Sequence, residues 1–262
     1  MTVQFGAPNR PLSTSVIGVL GLPETTRACL FDLDGVLTPT AKIHARAWKE
    51  MFDAFLAERV GPDYVPFDPV ADYDEYVDGK PRADGTRSFL TARGIDLPEG
   101  DPDDPPEAQT IEALSKRKDA IFERVVHEHG VEAYPGSVRY LHAVRDAGLR
   151  TAVVSSSAHC AEIVRAAGLA DLLEVRVDGI VAKERHLPGK PAPDTFAYAA
   201  QCLGVDAADA VVFEDALAGV AAGRAGKFGY VVGVDRSGEA DALRAHGADT
   251  VVEDLGELLD RS

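Results

Sequence analysis

The chain has 262 residues, 45% of them hydrophobic and 27% charged, with a formal net charge of −16. This length buries a substantial core, as one large α/β unit or two smaller ones, and the composition excludes a disordered or fibrous chain. The acidic balance argues against nucleic acid or an anionic membrane as partner, since both need a basic face, and an anionic small molecule would need cations and a metal ion placed locally.

Residues 1–26 are rich in Pro, Gly, Ser and Thr and read as an extension that lies on the surface or is in part disordered. The apolar stretch 15–22 is too short to cross a bilayer, and Cys29, Cys160 and Cys202 have no metal-ligand spacing, so reduced thiols in a cytoplasmic protein are expected. The run ACLFDLDG is an apolar segment stopped by Asp and Gly, the pattern of a buried parallel strand ending at a loop. Ala47, Trp48, Met51, Phe52, Phe55 and Leu56 then recur at helical spacing, predicting a helix over about 41–59. Between 61 and 106, Pro, Asp and Gly predict loops and short helices. A helix follows with Ile111, Leu114, Ile121, Phe122, Val125 and Val126 on one stripe, ending at Gly130.

From Pro135 on, helices alternate with short β-branched runs: helix 137–147, strand 150–154, helix 158–167, strand 174–177, helix 194–203, strand 210–213, helix 216–225, strand 229–234, and a last helix before a small strand near Val251. Such alternation implies βαβ units and a parallel sheet covered on both faces. One strand precedes the helical block and the others follow it, so the block is an insertion. The expected division is an extension 1–26, an α/β core 27–43 plus 133–262, and a helical cap 44–132 above the carboxyl ends of the strands.

Four segments at or near strand ends carry polar groups. In FDLDG, Asp32 and Asp34 stand two apart and face one crevice if the backbone is extended, although an Asx turn gives the same pattern. Ser155, Ser156 and Ser157 follow a strand and precede a helix, where hydroxyls and free amides hold phosphate or merely cap the helix. In GKPAPD, Pro191 and Pro193 restrict the backbone around Lys190. Glu214 and Asp215 end an apolar strand, and paired carboxylates at a buried edge call for a cation.

In this order the four segments resemble the motifs of the haloacid dehalogenase superfamily of phosphotransferases, over nearly the whole chain from Arg27 on. FDLDGVLTPTAKIHARAWK and GKPAPD are most similar to its β-phosphoglucomutase-like subfamily, which has a helical cap on a Rossmann-like core. The resemblance implies that Asp32 is the nucleophile, forming an aspartyl-phosphate, and that Asp34 is the general acid/base, with a carboxyl raised towards neutral pH by burial or neighbouring carboxylates. It implies Mg²⁺ on the side chains of Asp32 and Asp215 and the carbonyl of Asp34, with Glu214 assisting, and the transferring phosphoryl group on Ser155, Ser156 and Lys190. In the cap, Gly79 and Arg82 match a specificity loop whose arginine grips the second phosphate of a sugar bisphosphate, unless this is a solvated loop. His44 and Lys49 match positions that sense cap closure and contact substrate, though His44 suits a structural role too; Thr38 and Thr40 fix the loop after the nucleophile.

The activity so implied is interconversion of β-glucose 1-phosphate and glucose 6-phosphate by a monomer. The alternatives are a phosphatase of sugar phosphates or other small phosphomonoesters, and a non-catalytic phosphate-binding relative. A Schiff-base phosphonatase would need Lys49 or Lys80 directed at the nucleophile. Three departures stand out: Pro39 replaces an acidic residue, 64–106 is long and proline-rich, and Ala158 lacks a lysine seen in some relatives.

Overall fold

The computed structural model describes residues 17–260. Its centre is one parallel sheet of six strands in the order β3-β2-β1-β4-β5-β6, made of β1 (Ala28–Phe31), β2 (Arg150–Val154), β3 (Val175–Val177), β4 (Ala210–Glu214), β5 (Tyr230–Val234) and β6 (Thr250–Val252). Successive side chains of these apolar strands point to opposite faces and build two cores. Cys29, Phe31, Val153, Val211 and Phe213 pack with Tyr140, Leu141 and Ile163 on one face. Ala28, Leu30, Ala152, Val154 and Val212 pack with Phe196, Leu203 and Val220 on the other.

The helical block between β1 and the next core helix has a core of its own, in which Trp48, Phe52, Phe55, Phe67, Phe89 and Leu114 are buried together. Its helices are α1 (Thr40–Val60), α2 (Arg82–Ala92) and α3 (Ile111–His129), with one π-helical turn (Tyr73–Val77) before α2. The ends have local causes. The Thr110 side chain accepts from Ala113 N–H at the start of α3, and Gly61 and Gly130 close α1 and α3 at positive φ of 88° and 69°.

The remaining helices are α4 (Pro135–Asp146), α5 (Cys160–Ala166), α6 (Gly179–Glu184), α7 (Asp194–Leu203), α8 (Leu217–Ala225), α9 (Ala240–His246) and α10 (Glu257–Asp260). The periodicity does not reveal α6, which is held at its start by the Asp178 side chain accepting from Ile180 and Val181 N–H.

One expectation needs correcting. Of the segment read as a surface extension, residues 1–16 lie outside the described residues, but Ile17, Leu20 and Leu22 are buried in the core cluster, and the Tyr140 hydroxyl donates to the Leu20 carbonyl at 2.9 Å. Three apolar side chains spaced by glycines and Val19 are enough to dock this stretch. Among the described residues no helix is long and apolar enough to cross a membrane. The three cysteines are free thiols.

Candidate active site

Strand register brings three of the four polar segments together, and Lys190 joins them from the loop before α7. Phe31 pairs with both Val153 and Phe213, and Asp32 N–H donates to the Phe213 carbonyl at 2.9 Å. Asp32 is therefore level with Val154 and Glu214, and Ser155 and Asp215 follow one residue beyond, at the carboxyl edge of three adjacent strands where the chain order reverses. Gly35 permits the turn that follows: at φ +93° a Cβ would lie 1.6 Å from Asp215 Oδ2, so only glycine lets the two segments touch.

Lys190 is 3% exposed, and its ammonium contacts Asp32 Oδ1 and Glu214 Oε1 at 2.5 Å each, with the Val154 carbonyl at 3.2 Å. Burial pushes the Lys190 ammonium down, but Asp32 and Glu214 outweigh it and hold the group charged, above its ordinary value. Burial is also the main influence on Asp32. With help from Glu214 and Asp34 it raises that carboxyl well above the usual range against the pull of Lys190. Burial, then Asp78, Glu214, Asp32 and Asp34, raise Asp215 in the same direction.

Lys190 thus pairs with Asp32 and Glu214, and the candidate ligand oxygens of Asp32, Glu214 and Asp215 lie within 4.8 Å of one another. Buried carboxylates in such excess need a further cation to stay ionised, and an all-oxygen donor set suits a hard divalent ion such as Mg²⁺. Glu214 is fixed for this by Ala216 N–H, which donates to Oε2 at 2.9 Å, and by Gly219, where a Cβ would meet Oε1 at 1.8 Å.

Asp34 has different surroundings. The Thr40 hydroxyl donates to its Oδ1 at 2.5 Å and the Ser155 hydroxyl to its Oδ2 at 3.2 Å, while His44 Nε2 approaches Oδ1 to 3.3 Å without hydrogen-bond alignment. Thr38 Oγ1 lies 2.7 Å from Thr40 Oγ1 and fixes it. Burial alone would raise the Asp34 carboxyl, but His44, Thr40 and Lys118 together hold it at about 2. This corrects the expectation of a raised value: hydrogen bonds and nearby cations outweigh burial here.

The cap loop is seated on the sheet edge. Ser156 does not face the carboxylates. Its hydroxyl donates to the Gly79 carbonyl at 2.7 Å, and Cβ atoms at Gly79 and Gly189 would meet Ala216 and Pro81 at 2.9 and 2.1 Å. Arg82 begins α2 and is ion-paired through Nη1 with Asp119 on α3. The same Asp119 Oδ1 lies 2.8 Å from His159 Nε2.

Two lysines, Lys49 expected at the substrate and Lys80 weighed only for a Schiff-base chemistry, are not brought to the site. Lys49 contacts Asp53 Oδ2 at 2.8 Å and the Phe67 carbonyl at 2.9 Å, so the expectation that it touches substrate finds no support in its position. Lys80 donates to the Tyr76 carbonyl at 2.9 Å and Ser88 Oγ at 3.1 Å, and this removes the feature that kept a Schiff-base chemistry open. The lysine that does approach is Lys118, 4% exposed, with Nζ 2.6 Å from His44 Nδ1. Sequence reasoning missed it, although a signal existed: Lys118 stands four residues from Leu114 and four from Phe122, inside the apolar stripe of α3.

Comparison with known proteins gives a consistent set of likenesses. A family model for haloacid dehalogenase-like hydrolases matches residues 26–227. A Mycobacterium bovis protein named beta-phosphoglucomutase is 55% identical over 258 residues, 96% of this chain and 98% of its own. A Bacillus subtilis protein of that name is 31% identical over 88% of this chain and 91% of its own. Among solved structures, a hydrolase from Pseudomonas syringae superposes with a TM-score of 0.73 at 25% identity, over 90% of this chain and 97% of its own.

Proposed function

We propose a Mg²⁺-dependent phosphotransfer through Asp32 on a sugar phosphate, from this premise: the chain belongs to the haloacid dehalogenase-like hydrolase family and is an enzyme of phosphotransferase type. The observation that carries the reading is the buried meeting of Asp32, Glu214, Asp215 and Lys190 at the sheet edge beneath the Gly79 loop. The best-supported reaction is that of a β-phosphoglucomutase, the name of the relative at 55% identity. A phosphatase uses the same core residues with water as acceptor, so it stands as the second reading.

In this proposal an Asp32 oxygen attacks phosphorus, the bond to the leaving sugar oxygen breaks, and that oxygen takes a proton from Asp34. In the return step a sugar hydroxyl gives its proton to Asp34 and attacks the aspartyl-phosphate, and Asp32 is released. An Asp34 held at about 2 is ionised in the resting enzyme, so the cycle enters at the aspartyl-phosphate: Asp34 first takes the proton of the attacking sugar hydroxyl and then gives that same proton to the oxygen that leaves when Asp32 attacks. Lys190 and Ser155 hold the phosphoryl oxygens. Asp32, Asp215, Glu214 and the Asp34 carbonyl would hold Mg²⁺, which when bound supplies charge neutralisation at the phosphoryl group. The proposed division keeps 27–43 and 133–262 as core and 44–132 as cap, in a cytoplasmic monomer.

The test incubates the protein with Mg²⁺, β-glucose 1-phosphate and a trace of the 1,6-bisphosphate and follows glucose 6-phosphate and free phosphate together. Isomer without phosphate supports the mutase. Phosphate without isomer would establish the phosphatase instead, and neither product would overturn both readings.

A further inference from the structure

Three successive carbonyls follow the Asp34 side chain, and each accepts a bond from outside its loop. Arg236 Nε donates to the Gly35 carbonyl at 2.7 Å, the Ser137 hydroxyl to that of Val36 at 2.7 Å, and Tyr134 N–H to that of Leu37 at 2.9 Å. Tyr134 and Ser137 lie where the chain returns from the helical block into α4, whereas Arg236 follows β5. The Arg236 guanidinium sits 3.8 Å from the centroid of the Tyr134 ring. Its Nη1 donates to the Glu253 carbonyl at 2.6 Å, and Asp254 Oδ2 is 3.8 Å away. One planar cation therefore joins the turn after Asp34, the returning hinge and the end of β6.

The peptide it holds is the one packed on Asp215, because Gly35 is where a Cβ would lie 1.6 Å from Asp215 Oδ2. Arg236 Nη2 is buried and has no hydrogen-bond partner among the described residues. An unsatisfied buried donor is a cost, and a purely stabilising residue would gain by avoiding it. What arginine provides here is a fixed fork and a stacking plane, which lysine lacks.

We propose that Arg236, braced on Tyr134, is a positioning residue that fixes the Asp34–Gly35 turn against Asp215 and ties that turn to the chain returning from the cap. Its effect on turnover rests on the phosphotransfer reading; its effect on metal affinity can be measured without turnover. A carboxylate misplaced by less than an ångström at a reacting centre lowers the rate while leaving substrate affinity nearly intact.

The test compares full-length R236Q, R236K and R224A with the wild type. Arg224 is a control of the same chemistry at the opposite end of α8: it holds the Gly247 carbonyl at 2.7 Å and Asp249 Oδ1 at 2.7 Å. Thermal melting reports the fold, electron paramagnetic resonance of free Mn²⁺ reports metal affinity, and kcat and KM are read on whichever product β-glucose 1-phosphate yields with a trace of the 1,6-bisphosphate, glucose 6-phosphate or free phosphate. R236Q is expected to lose about 10- to 100-fold in kcat with KM within about twofold, and to bind Mn²⁺ several-fold more weakly. R236K, which keeps the charge and the fold, is expected to lose about tenfold in kcat. R224A should melt as low as R236Q yet keep wild-type kcat and Mn²⁺ affinity. Wild-type Mn²⁺ affinity and kcat in folded R236K and R236Q, or equal losses in R224A, would overturn the proposal. A wild type that gives neither glucose 6-phosphate nor free phosphate, with R236Q and R236K still weak for Mn²⁺, would overturn the functional reading and leave the positioning role standing.

Discussion

Lys118 Nζ stands 2.6 Å from Nδ1 of His44, and Nε2 of the same ring lies 3.3 Å from Asp34 Oδ1. Phe122 stacks on the His44 ring at 4.0 Å and keeps the pair dry. Two residues of the helical block thereby reach the carboxylate that follows the nucleophile.

Burial, with the nearby charge of Arg82, lowers the Lys118 ammonium from 10.5 to about 7. Between those values the unfolded chain binds the extra proton, so stability should rise with pH across that window and the penalty should be full below it. Calorimetric melts of wild type and K118M are expected to differ most near pH 6.5, with K118M higher by several degrees, and to converge towards pH 10. K118M should also turn over more slowly, because His44 loses its donor.

The Thr40–Asp34 bond at 2.5 Å is one of the influences that hold Asp34 at about 2. Its folded value lies below its unfolded one. The stability it contributes is therefore present above pH 4 and lost as pH falls through 2. The pH profile of kcat/KM should show no acid limb from Asp34 above pH 4 in the wild type. In T40V that limb should move upward, with kcat down about tenfold.

Asp32, Glu214 and Asp215 meet within ligand distance while Lys190 pairs with the first two, so a divalent ion should stabilise the fold. At a hundred times its dissociation constant, Mg²⁺ adds about 2.7 kcal/mol, which corresponds to about 5–10 °C in Tm for a chain of this size. The gain should vanish on chelation and be absent in D215N, as differential scanning calorimetry would read.

Arg82 is engaged with Asp119, which His159 also contacts. A second substrate phosphate would have to draw the guanidinium away from that carboxylate. R82A is expected to impair isomerisation of glucose 1-phosphate more than hydrolysis of a simple ester, and D119N to lower KM for a sugar phosphate. Equal losses in R82A would remove the reason for preferring the mutase.

The strands and the segments around Asp32, Ser155 and Asp215 were legible because a parallel sheet confines its chemistry to strand ends, each marked by an apolar run that stops at polar residues, whereas Lys190 was marked by Pro191 and Pro193. The seating of Ile17, Leu20 and Leu22 was not, since three apolar residues in a Pro- and Gly-rich stretch show no period. Lys118 was hidden for the opposite reason: its place in an apolar stripe could be read only by asking why a lysine stood there. The sign at Asp34 depends on Thr40 and His44 of α1 converging with Lys118 of α3, and only the assembled fold brings the two helices together there.

The most direct test of the account is to quench the enzyme in acid during turnover of a phosphorus-32-labelled sugar phosphate and map the labelled peptide. Label on Asp32 in the wild type, absent in D32N along with turnover, is the predicted result. Turnover with no label on Asp32, or an active D32N, would contradict it.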